Sequence, residues 1–368
     1  MALLLCAFLT AAQPANAAEV AKFLKERLDS KAFPACNVAI AYKSGERMTF
    51  SVGDVAELNR PLASTDRMLS GSIGKSYYAA EFVRAWKRKG WSLDDPISKW
   101  VGSEVWFKWL ANGDKLTPRM LLNHSACLLE YFEIPSAFKE LEADPLKKWS
   151  IEDRLKHLKD QPAKGVPGKD WSYADTHYIV LGGIYEKATG NSYIGETEKN
   201  IVARRGLTGT VRSESISIKG LIAGMSTPLP PFTFKGPMVV NGKMVMNPQF
   251  EWAGGGFANT AESLARWQML LHTGQVLDKE LTAEIQNGIP CTLGRDQKYG
   301  LGCQIRPSKF GVSFGHSGWF PGYLSDSAYF PEKGFAVAIQ FNTDNVSALK
   351  GSSFGYMTKI VELLSNGS

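Results

Sequence analysis

The chain has 368 residues, of which 44% are hydrophobic and 21% are charged, which is an ordinary globular composition, long enough for one large or two medium cores. Its 42 basic and 36 acidic residues give a net charge of +6, too small and too dispersed to predict a nucleic-acid partner. No apolar run reaches the 18 residues typical of a membrane span, so we expect no stable membrane anchor.

The N-terminus resembles a secretory signal. Residues 1–12 are mostly apolar, and Ala15-Asn16-Ala17 follows with the small residues of a cleavage site. The positive residues that usually open a signal are missing, and a buried N-terminal helix is the alternative interpretation. We predict a signal peptide over residues 1–17 and a secreted or periplasmic protein.

Strand patterns occur near both ends of the chain, and helical patterns lie between them. The predicted elements are a helix at 20–28, strands at 38–42 and 48–52, helices at 72–89, 118–122, 151–158, 176–189 and 260–272, strands at 311–314, 323–330 and 335–341, and a helix at 346–364. This order predicts an α/β fold: an antiparallel sheet flanked by helices and built from both termini (about 18–70 and 295–368). An inserted, mostly helical lobe (about 71–294) would complete one catalytic domain over residues 18–368. The cleft between two such lobes is a natural substrate site.

The tetrad Ser72-Ile73-Gly74-Lys75 opens the predicted helix at 72–89. Residues three apart share a helix face, so the Lys75 amine can reach the Ser72 hydroxyl. A serine needs such a base to become a nucleophile, and unpaired N–H groups at a helix N-terminus can face a developing oxyanion. In the alternative interpretation Ser72 only caps the helix and Lys75 is solvated. A phosphate-binding loop is disfavoured because Leu69 stands where its glycine belongs, and Ser70 likewise disfavours a nucleophile elbow.

Two further motifs supply polar side chains. Tyr173-Ala174-Asp175 precedes the helix at 176–189, where Asp175 is either a site residue or the helix N-cap. Gly315-His316-Ser317-Gly318 ends a predicted strand and leads into a turn at Trp319. A histidine in that setting, taken alone, is more often packed than functional.

The order S-x-x-K, Y-x-D, H-x-G resembles the serine β-lactamase and D-alanyl-D-alanine carboxypeptidase superfamily, most closely its class C β-lactamases, serine DD-peptidases and related esterases. The blocks at 93–96, 116–124, 173–190, 253–260 and 315–323 share the likeness. The resemblance implies that Ser72 is acylated, that Lys75 is its base, and that Tyr173 relays protons. It also implies that His316 opens the third motif.

The resemblance places the remaining site residues around the substrate. Ser317 and Gly318 complete the third motif, and the N–H groups of Ser72 and Trp319 would form the oxyanion hole. Asp175 stands where the family usually has an asparagine, and an ionised carboxylate cannot donate to a substrate carbonyl. Strong β-lactamases usually carry lysine where this chain has His316, which is a weaker carboxylate anchor near pH 7.

The sequence therefore predicts a secreted serine hydrolase acting on an ester, an amide or a D-amino-acid peptide. The alternatives are a true β-lactamase and a catalytically silent binding protein on the same fold. We expect a small-molecule or peptide substrate, no cofactor and no metal, since the histidines lack metal-ligand spacing. Oligomeric state cannot be inferred. Cys36, Cys127, Cys291 and Cys303 are either disulfide-bonded or buried thiols.

Overall fold

The computed structural model describes residues 16–365. The predicted signal peptide lies outside the described residues except for Asn16 and Ala17. Ala17 begins the first helix and is buried. The four cysteines after the signal are free thiols. No helix among residues 16–365 is long and apolar enough to cross a membrane.

Nine of the strands form one antiparallel sheet. The strands are β1 (Ala35–Tyr42), β2 (Arg47–Val55), β3 (Arg60–Pro61), β4 (Met68–Leu69), β5 (Val211–Arg212), β6 (Met225–Ser226), β7 (Gly236–Pro237), β8 (Val239–Val240), β9 (Lys243–Met244), β10 (Phe257–Asn259), β11 (Ile289–Pro290), β12 (Lys298–Tyr299), β13 (Gln304–Ser308), β14 (Gly311–Phe320), β15 (Tyr323–Phe330) and β16 (Phe335–Phe341). The main sheet has the order β11-β12-β13-β14-β15-β16-β1-β2-β3. Strands from both ends of the chain meet where β1 pairs with β16, so the predicted fold class is confirmed.

Helices cover both faces of this sheet and fill the insertion between β3 and β11. They are α1 (Ala17–Asp29), α2 (Gly74–Lys89), α3 (Ser98–Val101), α4 (Pro118–Leu122), α5 (Pro135–Ala143), α6 (Ile151–Leu155), α7 (Asp175–Thr189), α8 (Tyr193–Thr197), α9 (Ala261–His272), α10 (Lys279–Gln286), α11 (Val346–Leu349) and α12 (Ser353–Ser365). Gln268 of α9 bonds Ser327, whereas Ser353 of α12 bonds the adjacent Asp326. Because neighbouring strand residues point to opposite faces, α9 and α12 lie on opposite sides of β15.

Two predicted elements differ in the structure. The single helix expected at 346–364 is two helices, since the chain turns at Lys350 in the left-handed conformation, with φ 51°. The strand expected at 311–314 continues to Phe320 as β14, so His316 to Trp319 lie inside a strand. β14 runs between β13 and β15 as far as Gly315. The division into two lobes stays a prediction.

Candidate active site

Ser72 lies in a short 3₁₀ turn, Gly71–Ile73, that leads into α2. Gly71 has φ 52°, and a Cβ there would lie 2.4 Å from the Trp319 carbonyl oxygen, so glycine is required at this close approach. One turn along, Lys75 Nζ donates to Ser72 Oγ at 3.0 Å. The structure therefore brings together the two residues that the helical spacing paired.

The Lys75 ammonium is completely buried and has three acceptors. Besides Ser72, it donates to the Asp175 carboxylate through a short bond and to the Gly254 carbonyl at 2.5 Å. Burial lowers the pKa of Lys75, but the Asp175 carboxylate and the Tyr173 hydroxyl beside it outweigh burial, and the net pKa lies above the ordinary value. At neutral pH the resting lysine is therefore an ammonium ion.

Asp175 is the first residue of α7, and its side chain serves the site instead of capping the helix. Ala174 occupies the N-cap position and makes no side-chain cap bond. The Asp175 backbone N–H donates to Glu130 Oε2 at 2.5 Å, which fixes the start of the helix. The carboxylate then points to Lys75, so the capping interpretation of Asp175 is wrong.

Tyr173 lies beside the Lys75 ammonium, which stands 5.0 Å above the centre of its ring. The hydroxyl is buried and makes no hydrogen bond of good geometry within residues 16–365. Burial is the largest cause that raises the pKa of Tyr173 to about 12, although Lys75 opposes it. Tyr173 is thus a neutral phenol near pH 7, able to donate a proton.

The third motif passes directly in front of Ser72. A Cβ built on Gly318 would lie 1.8 Å from Ser70 O and 3.2 Å from Ser72 N, so only glycine permits this approach. The Ser317 N–H donates to Gln304 Oε1 of β13. Since N–H groups two residues apart point to the same strand edge, the Trp319 N–H also points away from β15. The edge it faces is the one where Gly71 and Ser72 lie, as an oxyanion hole requires.

Side chains of the third motif are held by the protein. His316 is fully buried; its Nε2 lies 2.7 Å from Tyr299 Oη, and its Nδ1 lies 2.5 Å from Ser317 O. Burial, with help from Lys75, lowers the pKa of His316 to about 3. The Ser317 hydroxyl accepts from Gln304 Nε2 at 3.0 Å, and the Trp319 ring packs 5.2 Å from Phe232. Neither His316 nitrogen bonds Ser72, Lys75 or Tyr173.

Two buried acids lie near Lys75, and no sequence motif predicted either of them. Glu130 accepts from Asp175 N and from the Thr176 hydroxyl, and its pKa is raised by burial and by Asp175. Glu251 accepts from Gly256 N–H at 3.2 Å, and burial, followed by Asp175, raises its pKa to about 8. Neither acid falls in a motif, and only the folded chain brings them to the lysine.

Within residues 16–365, no group of three histidine, cysteine or acidic side chains has an arrangement that could hold a metal ion. The polar groups around Ser72 are instead a nucleophile, an ammonium, a carboxylate, a phenol and two backbone N–H groups. This set is what acyl transfer requires.

Comparisons with known proteins agree with this arrangement. The family model described as Beta-lactamase matches residues 20–352. A relative, esterase EstB of Burkholderia gladioli, is 27% identical over 163 residues, which cover 42% of this chain and 41% of the esterase.

Solved structures share the fold along most of the chain. A D-stereospecific amidohydrolase from Streptomyces sp. has a TM-score of 0.79 at 22% identity, covering 97% of this chain and 100% of its own. The D-amino acid amidase from Ochrobactrum anthropi SV3 complexed with D-phenylalanine has a TM-score of 0.81 at 20% identity. The match covers 96% of this chain and 99% of the amidase. The superfamily predicted from the three motifs is confirmed: the chain belongs to the Beta-lactamase family of hydrolases.

Proposed function

We propose that the protein is a serine hydrolase that forms an acyl-enzyme on Ser72 and cleaves small esters or amides. One observation carries the proposal: the buried Lys75 ammonium bridges the Ser72 hydroxyl and the Asp175 carboxylate. A serine with a lysine at hydrogen-bond distance has the base that a nucleophile needs. The pairing argues against a silent binding protein, which has no use for it.

In this proposal Asp175 is the group that frees Lys75 to act as a base. The resting ammonium cannot take the Ser72 proton. A shift of one proton from Nζ to Asp175 Oδ1 leaves a neutral amine, which then accepts the Ser72 proton as Oγ attacks the carbonyl carbon. Burial makes this shift easier than in water, because low dielectric disfavours the charged pair relative to the neutral pair.

The remaining groups complete the reaction. The N–H groups of Ser72 and Trp319 receive the tetrahedral oxyanion. Tyr173, protonated because burial raises its pKa to about 12, donates to the leaving alcohol or amine and is reprotonated by Lys75. The leaving group departs, and water attacks the acyl-enzyme by the reverse proton path.

The charges around the site favour substrates without a carboxylate next to the reacting bond. His316 is an uncharged imidazole, and Lys75 is already paired with Asp175. The names of the esterase relative and of the amidases that share the fold support esters and amides as candidates. A true β-lactamase remains the alternative, and D-alanyl peptides remain within the amide class.

Covalent labelling tests the nucleophile. A fluorophosphonate probe should add one mass equivalent to the wild-type protein, on the peptide that contains Ser72, and Ser72→Ala should lose both the label and hydrolysis. Ser70→Ala is the matched control, because that hydroxyl bonds Phe257 O and should be dispensable for labelling. A folded Ser72→Ala protein that still hydrolyses p-nitrophenyl butyrate would refute the assignment.

We also propose that the protein is exported through its N-terminal segment. The sequence of residues 1–17 supports export. Mass spectrometry of the expressed protein should find a mature N-terminus next to Ala17 in the extracytoplasmic fraction. An intact Met1 in the cytoplasmic fraction alone would contradict export.

A further inference from the structure

A chain of buried polar side chains runs behind the active site. His316 Nε2 lies 2.7 Å from Tyr299 Oη, which lies 3.2 Å from His124 Nε2. His124 Nδ1 lies 2.8 Å from His177 Nδ1, and the Leu128 N–H donates to His177 Nε2 at 3.1 Å. All four side chains are fully buried. They come from four separate segments, so the fold assembles the chain.

Both ends of this histidine chain are backbone groups whose hydrogen-bonding role is fixed. At one end the Leu128 N–H can only donate, so His177 Nε2 must accept. At the other end the Ser317 carbonyl can only accept, so His316 Nδ1 must carry a proton. A neutral imidazole has one N–H and one bare nitrogen, which then fixes the remaining nitrogen of each ring.

The proton order in the middle follows. His177 Nδ1 carries the proton and donates to His124 Nδ1. His124 therefore donates from Nε2 to Tyr299 Oη, and the Tyr299 hydroxyl donates to His316 Nε2. Every group accepts from one neighbour and donates to the next, so a single direction satisfies all the bonds.

This order leaves no place for an additional proton. A proton on His316 Nε2 would reverse Tyr299, then His124, then His177, and the reversed His177 would point an N–H at the Leu128 N–H. One bond must break, and the groups that lose it are buried, which is costly.

Nearby cations add to the cost of protonation. Lys75 faces all three histidines, Lys164 acts on His177, and Arg306 acts on His316. Burial is the first cause in each case: it brings the pKa of His177 and His316 to about 3 and holds that of His124 well below its ordinary value. The Tyr299 ring, 5.6 Å away, and the Tyr173 ring, 6.2 Å away, are further titratable neighbours of the His316 ring.

The histidine chain also holds the loop that carries Tyr173. The His124 carbonyl accepts from Ser172 N–H at 3.1 Å, and its Nδ1 accepts from Ala174 N–H at 3.4 Å. The His124 ring lies 4.2 Å from the Tyr173 ring. His124 itself has φ 65°, a conformation that a non-glycine residue adopts only when its surroundings impose it.

We propose that His124, His177 and Tyr299 are positioning residues, which hold His316 uncharged and fix Tyr173 and the Ser317 carbonyl through one hydrogen-bonded chain of fixed proton order. The effect on turnover rests on the proposed function. The proton order does not, so it can be measured in a protein of any activity. Loss of a link should then disturb both the second and the third motif.

Nitrogen NMR reads the proton order directly. Long-range proton–nitrogen spectra of the wild-type protein, assigned with single His→Gln variants, should show a proton on Nδ1 of His177 and His316 and on Nε2 of His124. All three should stay neutral from pH 8 to 5. Any of the three in the opposite tautomer, or titrating near its ordinary pKa of about 6.5, would overturn the proposal whether or not the protein is a hydrolase.

Tyr299→Phe breaks two links and keeps the ring. We expect the Nε2 signals of His316 and His124 to shift in this variant, since each of these nitrogens loses its hydrogen-bond partner. The kcat for a neutral ester should fall at least about tenfold, with KM changed less than about threefold, since the loss concerns the position of Tyr173 in the transition state.

Tyr356→Phe is the matched control, because it removes another buried hydroxyl bond, to Leu349 O at 2.9 Å. It should keep wild-type tautomers and kinetics. A Tyr299→Phe protein with wild-type kcat would refute the positioning role. If Tyr299→Phe does not fold, the wild-type spectra decide alone. The expected tautomers in a wild-type protein that turns over neither esters nor amides would refute the proposed function and leave the histidine chain intact.

Discussion

Lys75 and Asp175 form an ion pair in which the lysine side chain has no exposed surface and the carboxylate is 11% exposed. The same ammonium donates to Ser72 Oγ. A buried ion pair contributes little net stability, since desolvation offsets the attraction. Its place next to a nucleophile gives it a chemical role instead, as a pair that can exchange one proton.

Lys75→Arg should abolish hydrolysis. A guanidinium stays protonated at any accessible pH, so it cannot accept the Ser72 proton even with Asp175 beside it. We expect kcat/KM for a neutral ester to fall roughly 10²–10⁴-fold, the usual contribution of a general base. Lys89→Arg, on the exposed end of the same helix, is the matched control and should be neutral. Near-normal turnover in Lys75→Arg would exclude a lysine base.

Breaking the ion pair should destabilise the protein. Lys75→Met leaves the Asp175 carboxylate buried without a cation, and we expect a loss of about 3–5 kcal/mol as an upper bound. Lys75→Met with Asp175→Asn removes both charges and should recover most of that loss. Urea unfolding at pH 7 measures both. A double variant no more stable than Lys75→Met would mean that the unpaired carboxylate is not the cause.

Glu251 should make the protein less stable as pH rises. Burial raises its pKa to about 8, so between the unfolded value of about 4.5 and 8 the folded state holds a proton that the unfolded state has released. Stability from this group is therefore full below pH 4.5 and is lost towards pH 8, by a few kcal/mol at about 1.4 kcal/mol per unit.

Glu251→Gln should remove that dependence, since a neutral amide keeps an acceptor for the Gly256 N–H. The free energy of unfolding of the variant should exceed that of wild type at pH 8, and the two values should be closer to each other at pH 5. If the free energies of unfolding of the two proteins changed with pH in the same way, Glu251 would not titrate in this range.

An uncharged ester should be a better substrate than a β-lactam that bears a carboxylate. His316 is neutral and both its nitrogens are already bonded, so no cation in the third motif holds that carboxylate. We expect kcat/KM for p-nitrophenyl butyrate to exceed that for nitrocefin by about tenfold or more, or about 1.4 kcal/mol. A clear preference for nitrocefin would contradict this prediction and support the alternative that the protein is a true β-lactamase.

Local spacing predicted the parts of the site that lie close together in sequence. Ser72 and Lys75 are one helical turn apart, so their contact follows from helix geometry. The antiparallel sheet followed from strand patterns at both ends of the chain. Asp175 shows the limit, because an acid before a helix predicts a cap as readily as an ion pair, and only the position of α2 decides between them.

Groups that meet only through the fold could not be predicted. His124, His177 and His316 share no spacing, and Tyr299 lay outside every motif, yet they form one bonded chain. Long-range pairs of this kind depend on how segments pack. The sequence shows the residue types without showing which of them will be buried together.

The pH dependence of kcat/KM for wild type and Asp175→Asn, on one neutral ester, tests most directly the claim that Asp175 takes the proton from Lys75. Without the carboxylate, Lys75 must lose its proton to solvent before it can act. We therefore predict that kcat/KM of Asp175→Asn at pH 7 is at least about tenfold lower than that of wild type. The acid limb of its pH profile should lie at higher pH than in wild type. Asp175→Glu should retain more of the activity than Asp175→Asn. The account would be contradicted by an Asp175→Asn enzyme that is as fast as wild type at pH 7 and whose pH profile has its acid limb at lower pH than that of wild type. Lys75 would then act as the base without Asp175.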